Sequence, residues 1–246
     1  MRPFLLISAR PEVAAVGPEY TSFLRASGLD AGRLEHLRLD VDRIDQVDLA
    51  RYAGVFVGGS PFNVSTPEPR KHAVQRRVEA DLAQLAEHGL ADRAAVMFTC
   101  YGIGVLTRVL GGEVGTEHGE PAAAVELTLT DAGTEDPLTR DLPRRFDALA
   151  GHKESTSRLP DDAVVLAGSA ACPVQIYRAG ARVYATQFHP EVSPADFVAR
   201  ARVYRHHGYF PASELIAVSE RLAAASITEP HRMLRRFVAL ATAPIG

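Results

Sequence analysis

Cys100 stands between an apolar run, Ala94 to Thr99, and a stretch of helical patterning, Gly102 to Leu110, that Gly111-Gly112 stops. A cysteine where a buried parallel strand bends into a helix is exposed at the carboxyl edge of the sheet and close to unpaired helix amides. Both favour the thiolate of a group that otherwise titrates near a pKa of about 8.5. Gly102 permits the tight turn this needs, while a small thiol packed at a strand end is the alternative. A second run, Val183 to Phe188, reads as a strand ending in His189-Pro190-Glu191. Residues two apart in extended chain face the same side. Glu191 can therefore accept a hydrogen bond from one ring nitrogen of His189 and leave the other to take a proton from a thiol. A capping histidine followed by an ordinary exposed glutamate is the competing reading. Nucleophilic attack on an acyl carbon also needs donors for the developing oxyanion, and losing one costs about 2.7–4 kcal/mol. Gly58-Gly59, behind a third strand, can supply one backbone amide and Tyr101, the residue after the cysteine, another; the glycine pair alone equally fits a plain turn.

The elements needed to carry these groups are legible from patterning. Phe4 to Ser8 reads as a first strand, Tyr20 to Ser27 as a helix ended by Gly28, Leu34 to Leu39 as a second strand and Gly54 to Val57 as a third. Pro61 to Pro69 is an irregular loop. Val74, Val78, Leu82 and Leu85 fall on one face of a helix over His72 to His88. Alternating strands and helices predict an α/β fold with three layers, a mainly parallel central sheet between helices. After residue 112 the strand-like runs Val125 to Leu129, Ala163 to Leu166, Val174 to Tyr177 and Val183 to Phe188 predict a smaller antiparallel part. The last fifty or so residues read as three helical stretches, around Phe197 to Tyr204, Leu215 to Ala223 and Met233 to Leu240.

Composition narrows the classes of function. The 246 residues suit one domain over 1–246, with 46% hydrophobic and 23% charged residues. The net charge of −3, from 27 basic and 30 acidic residues without a block of either sign, argues against nucleic acid and anionic membrane as partners. No apolar run approaches the roughly 20 residues that cross a bilayer, and no secretory leader is evident, so the expected location is cytoplasmic. Two cysteines build no disulfide framework; Cys172 reads as a packed thiol and His206-His207 as surface histidines without metal-ligand spacing.

Together, VFVGGS, FTCYGIG followed by LGG, AGHKES and TQFHPEVS resemble, in order and spacing, the class I glutamine amidotransferases, and among them the amidotransferase domain of GMP synthase and its stand-alone relatives. The likeness covers about residues 4–194 and leaves the helical stretch of about 195–246 outside. It implies a flavodoxin-like fold and an acyl-enzyme route in which Cys100 attacks a γ-carboxamide, His189 oriented by Glu191 moves protons, ammonia leaves, and water releases glutamate. It implies oxyanion donors at Gly59 and Tyr101, substrate contacts at Gly58, Gly59, Gly104, His152 and Lys153, and no metal or organic cofactor. The implied partners are glutamine or a γ-glutamyl amide, and a separate synthetase that accepts the ammonia, because no phosphate-loop motif is present. Two positions depart from the pattern. Phe98 replaces a glycine two before the nucleophile, which raises the question of how tight the bend is. Gly104 replaces a glutamine four after it, which admits γ-glutamyl amides or peptides as substrates. A regulatory homologue without activity, or a redox-sensing cysteine on a similar elbow, are the further alternatives.

Overall fold

In the computed structural model, which describes residues 2–243, β1 (Phe4–Ser8), β2 (Leu34–Arg38), β3 (Gly54–Val57) and β4 (Ala95–Thr99) pair in parallel. Helix α1 (Val13–Ser27) links the first two and α2 (Ala73–Leu90) the last two; α3 (Tyr101–Val109) leaves β4 directly. Next come β5 (Glu113–Gly115), β6 (Glu120–Leu129), the short α4 (Asp131–Glu135), β7 (Arg145–His152), β8 (Ser155–Arg158), β9 (Ala163–Ser169), β10 (Ile176–Ala179) and β11 (Val183–Thr186). The chain closes with α5 (Pro194–Val203), α6 (Leu215–Ala223) and α7 (Glu229–Thr242). Among the described residues the main sheet has nine strands in the order β2-β1-β3-β4-β11-β10-β9-β6-β7, and β5 and β8 make a separate two-stranded antiparallel sheet.

β11 lies parallel to β4, whereas β10, β9, β6 and β7 continue the same sheet antiparallel. β1, β3, β4 and β11 are buried on both faces, which is why they read as apolar runs, while the edge strand β2 is only partly buried. Phe4 and Leu6 point into one cluster, Leu5 and Ile7 into the other, as a period of two requires. On the first face Phe56 touches Phe4, Phe23 of α1 and Phe237 of α7, with ring centroids 5.3–5.6 Å apart. On the second, Val78, Leu82 and Leu85 of α2 meet Val55, Val57 and Phe98. A third cluster joins Phe197 of α5 and Val218 and Leu222 of α6 to Ala122 and Leu149.

Several boundaries differ from the sequence expectation for physical reasons. α1 begins at Val13, seven residues before Tyr20: Gly17 and Pro18 are poor helix formers, but Ala15, Val16 and Glu19 are buried, so packing overrides propensity. Its end at Gly28 is as expected, in a left-handed conformation with φ of 72°. β11 stops at Thr186, two residues short of Phe188. β7 has no counterpart in the patterning; its inward residues Phe146, Ala148 and Ala150 are mostly small and give a weak alternating signal.

Candidate active site

Strand register alone brings three loops together. Val57 pairs with Phe98 and Thr186 with Thr99, so β3, β4 and β11 end side by side at one edge of the sheet. Gly58-Gly59, Cys100 and the segment to Glu191 all emerge there, the edge at which parallel α/β sheets present their loops. Cys100 takes φ of 52° and ψ of −102°, a conformation that costs a non-glycine residue of order 1–3 kcal/mol. The bend is held from both sides, with Cys100 N–H donating to the Thr186 carbonyl at 2.7 Å and Ile103 N–H to the Cys100 carbonyl at 3.1 Å. Phe98 does not loosen the turn. Its fully buried ring packs on Gly102, where an added Cβ would lie 3.0 Å from Phe98 Cδ1.

His189 is anchored by its N–H to the Leu149 carbonyl at 3.0 Å, and its Nδ1 lies 2.9 Å from Glu191 Oε1. The two residues meet in a turn rather than in an extended strand. In the tautomer whose Nδ1 donates to the carboxylate, Nε2 is the basic nitrogen and a guanidinium beside the pair donates to the carboxylate rather than to the ring. A residue that the sequence reading missed completes this group: Arg200 of α5 sets Nη1 2.8 Å from Glu191 Oε1 and 2.8 Å from His189 Nδ1. The capping box that starts α5, Ser193 with Asp196, is visible in the sequence and could have located this helix against the preceding motif.

The glycine loop closes the group. A Cβ on Gly59 would lie 2.7 Å from His189 Cε1 and 3.4 Å from both Cys100 Cβ and Arg10 Nη2, so only glycine fits against the imidazole here. A Cβ on Gly58 would lie 2.5 Å from the Glu19 carboxylate. Glu19 is fully buried, accepts from Arg10 at 2.6 Å and from the Ser8 hydroxyl at 2.6 Å, and belongs to the part of α1 that patterning did not reveal. Tyr101 opens α3, and its N–H reaches the Cys100 sulfur.

Charge in this group does not follow the expectation of a ready thiolate. Burial pushes the Cys100 thiol up to about 12, against the opposing pull of Arg10, Arg200 and the Tyr101 N–H. Burial also lowers His189, with Arg200 adding to the effect and Glu191 opposing it. Burial would raise the Glu191 carboxyl, but His189 and Arg200 together hold it well below the usual carboxylate range. Burial thus disfavours the charged forms of both thiol and imidazole, with a carboxylate and a guanidinium behind the ring.

Cys100 forms part of the wall of two cavities. One, of about 330 Å³, is lined by Tyr101, Gly104, His152, Lys153, Glu154 and Gln187 among others, and so gathers three of the residues expected to contact substrate. Gln187 Oε1 is buried there without a hydrogen-bond partner. Gly104 does not leave open the space of the missing glutamine, because Val64 Cγ2 lies 3.0 Å from where its Cβ would be. The other cavity, of about 450 Å³, contains His189, Arg10 and Arg200 beside aromatic and alanine side chains. Tyr209 borders both, with Lys153 Nζ 5.0 Å above its ring and donating to the His207 carbonyl at 3.0 Å.

Next to the smaller cavity, Glu120, His152 and Cys172 place potential ligand atoms within 4.8 Å of one another. They are engaged in hydrogen bonds: Glu120 Oε2 meets His152 Nε2 at 2.8 Å, and the Cys172 thiol points at the Val174 carbonyl at 3.5 Å. Burial raises Cys172 to about 11, as suits a packed thiol. His206 and His207 are exposed. Among the described residues no helix is long and apolar enough to cross a membrane.

Residues 19–200 match the family model for glutamine amidotransferase class-I, a span that runs from the buried Glu19 to Arg200. The chain belongs to this family. Among curated relatives, one of the subunits of the glutamine-hydrolyzing GMP synthase of Methanothermobacter thermautotrophicus is 38% identical over 98 residues, covering 39% of this chain and 51% of the relative. The GMP synthase of Aeropyrum pernix is 33% identical over 149 residues, 61% of this chain and 26% of its own length. The chain thus spans about half the length of the one relative and about a quarter of the other. In fold, the amidotransferase resembles a glutamine amidotransferase of Thermotoga maritima, with a TM-score of 0.71 at 18% identity over 98% of both chains. A glutamine amido transferase of Methylobacillus flagellatus gives 0.66 at 17% identity, over 97% of this chain and 95% of that one.

Proposed function

We propose that this amidotransferase hydrolyses the γ-carboxamide of glutamine by covalent catalysis at Cys100, releasing ammonia and glutamate. The observation that carries the reading is the strained Cys100 at the sheet edge, lining one cavity with His189 and packed with it against Gly59, where any side chain would displace the ring. Nε2 of His189 takes the thiol proton as sulfur attacks the carbonyl carbon, and the imidazolium so formed is stabilised by Glu191, itself held by Arg200. Burial that disfavours both charged forms suits this order of events, since the proton then moves only when substrate is in place. The amides of Gly59 and Tyr101 stabilise the oxyanion. The amino-acid end of glutamine occupies the cavity of Gly104, His152 and Lys153, where Gln187 Oε1 offers an acceptor to an ammonium group. His189 then protonates the leaving nitrogen, and water cleaves the thioester. Residues 1–246 act as one unit, and ammonia passes to a separate synthetase. Relatives that are themselves named as single subunits of GMP synthase support this division of labour.

Ammonia release from glutamine, measured for the wild type and Cys100→Ala with and without an ATP-dependent synthetase, tests this. Release should fall by at least about 10⁴-fold in the variant. A glutamine-like chloroketone should add one mass increment, on Cys100. Release that survives the substitution, or a chloroketone that leaves Cys100 unlabelled, would sink the proposal.

A further inference from the structure

Arg10 and Glu19 are buried beside the nucleophile, and the acyl-transfer scheme makes no use of either. Withdrawing a guanidinium from water is costly unless its donors are matched. Arg10 matches only part of its set: Nε and Nη2 donate to Glu19 Oε1 at 2.9 and 2.6 Å, and Nη1 donates to the Tyr204 hydroxyl at 2.6 Å. That hydroxyl donates onward to Glu12 Oε2 at 3.1 Å. One N–H on each terminal nitrogen is left without a partner among the described residues. Because Nε and Nη2 share Glu19 on one edge of the planar fork, the second N–H of Nη2 is turned away from that carboxylate. Nη2 also stands at the catalytic edge. The position a Cβ on Gly59 would take is 3.4 Å from it and 3.4 Å from Cys100 Cβ, and Arg10, Cys100 and His189 line one cavity. This cation is assembled from outside the family core, since Arg10 precedes residues 19–200 and Tyr204 follows them.

Resting on the reading of Cys100 as the nucleophile, we propose that Arg10 is the electrostatic partner of its sulfur, a guanidinium fixed by Glu19 and Tyr204 that stabilises the thiolate formed when His189 takes the proton. In that step the S–H bond breaks, its electron pair stays on sulfur and the proton moves to Nε2, while Arg10 gives up no proton. Burial works against the charge on Arg10, but Glu19 and Tyr204 raise it above its ordinary value, so it stays cationic. The other groups facing the thiol are His189, Glu191, Arg200 and Tyr209. Glu191 opposes the thiolate and Arg200, bonded to Glu191, favours it, so the two offset each other. Burial pushes the Tyr209 phenol up and keeps it neutral. After burial, Arg10 is the largest influence on the thiol, and it favours the anion.

The test uses the full chain. Arg10→Gln combined with Glu19→Gln removes cation and anion together and leaves no unpaired buried charge. Alkylation of Cys100 by iodoacetamide, a neutral reagent, is followed by mass spectrometry at about pH 8, where the rate tracks the small thiolate fraction. The double variant should react at least about threefold more slowly, even after the gain in nucleophilicity that accompanies a raised thiol pKa. Its kcat for ammonia release from glutamine should fall about thirtyfold or more with KM within about threefold, as for an interaction made only during reaction. Arg10→Lys, which keeps a cation without the fork, should fall between it and the wild type in both. An alkylation rate or a kcat that does not move, or a loss confined to KM, would overturn the assignment. Should urea denaturation show the double variant unfolded, Glu19→Gln decides: it leaves the cation and removes its counter-charge, so alkylation should quicken, and an unchanged or slower rate would overturn the assignment equally. In each of these failures a wild type that releases ammonia and is labelled at Cys100 by the chloroketone leaves the glutaminase reading standing. A wild type that does neither removes both.

Discussion

The parallel half of the sheet and the segment after Glu191 serve the same cavity by different means. From β3 and β4 come backbone features: a strained bend at Cys100, a glycine against the imidazole, and amides at the start of α3. From α5 and residues 204–210 come side chains: Arg200 behind the His189–Glu191 pair, the Tyr204 hydroxyl accepting from Arg10 at 2.6 Å, and Phe197, Tyr209 and Phe210 as walls. The first region sets where bonds form, through geometry that tolerates no extra atom. The second sets the charge around the ring and the walls of the larger cavity, through side chains.

If that division holds, substitutions on the two sides should differ in kind as well as in size. Gly59→Ala should lower kcat/KM for any amide substrate by about 10²-fold, because its methyl would displace either the ring or the loop amide proposed as oxyanion donor. A loss confined to one substrate would show that this loop governs selectivity instead. Arg200→Ala should cost about tenfold at pH 7, the worth of one hydrogen bond to a charged group at ~1.5 kcal/mol. It should also move the acidic limb of kcat/KM to higher pH. Arg200 helps hold His189 below its ordinary value, so without it the ring stays protonated to higher pH and cannot accept the thiol proton. A fall in rate with an unmoved limb would make Arg200 a packing residue only. Phe237→Leu, in α7 under Phe56, should leave kcat/KM as it is while urea denaturation shows a loss of about 1 kcal/mol, separating the helix that braces the sheet from the helix that meets the site.

Much of the first region is readable from residue order. A cysteine between an apolar strand and a helix, a glycine pair behind another strand and a histidine with a glutamate two residues on are local patterns, and local backbone rules translate them into a bend and a close approach. The partners of that framework are not readable in this way. Glu19 lies in a stretch whose Gly17-Pro18 are poor helix formers, and it is fixed by Arg10 and the Ser8 hydroxyl, both brought against it by the fold. Val64, in a proline-rich loop, occupies the space vacated at Gly104 across 40 residues of chain, a contact no spacing rule contains. The thiol's protonation also escapes the sequence, since helix amides and nearby cations favour thiolate while burial, the larger influence, opposes it.

Residue order was enough to establish the α/β alternation, the bend at Cys100 and the company of His189 and Glu191, because each depends on neighbours along the chain and on periodicities of two or 3.6 residues. Folding in three dimensions added that Arg200 stands behind the imidazole, that burial works against the thiolate and that two unlike cavities share Cys100. Those outcomes depend on desolvation and on side chains brought together from distant segments, and neither is encoded in the succession of adjacent residues.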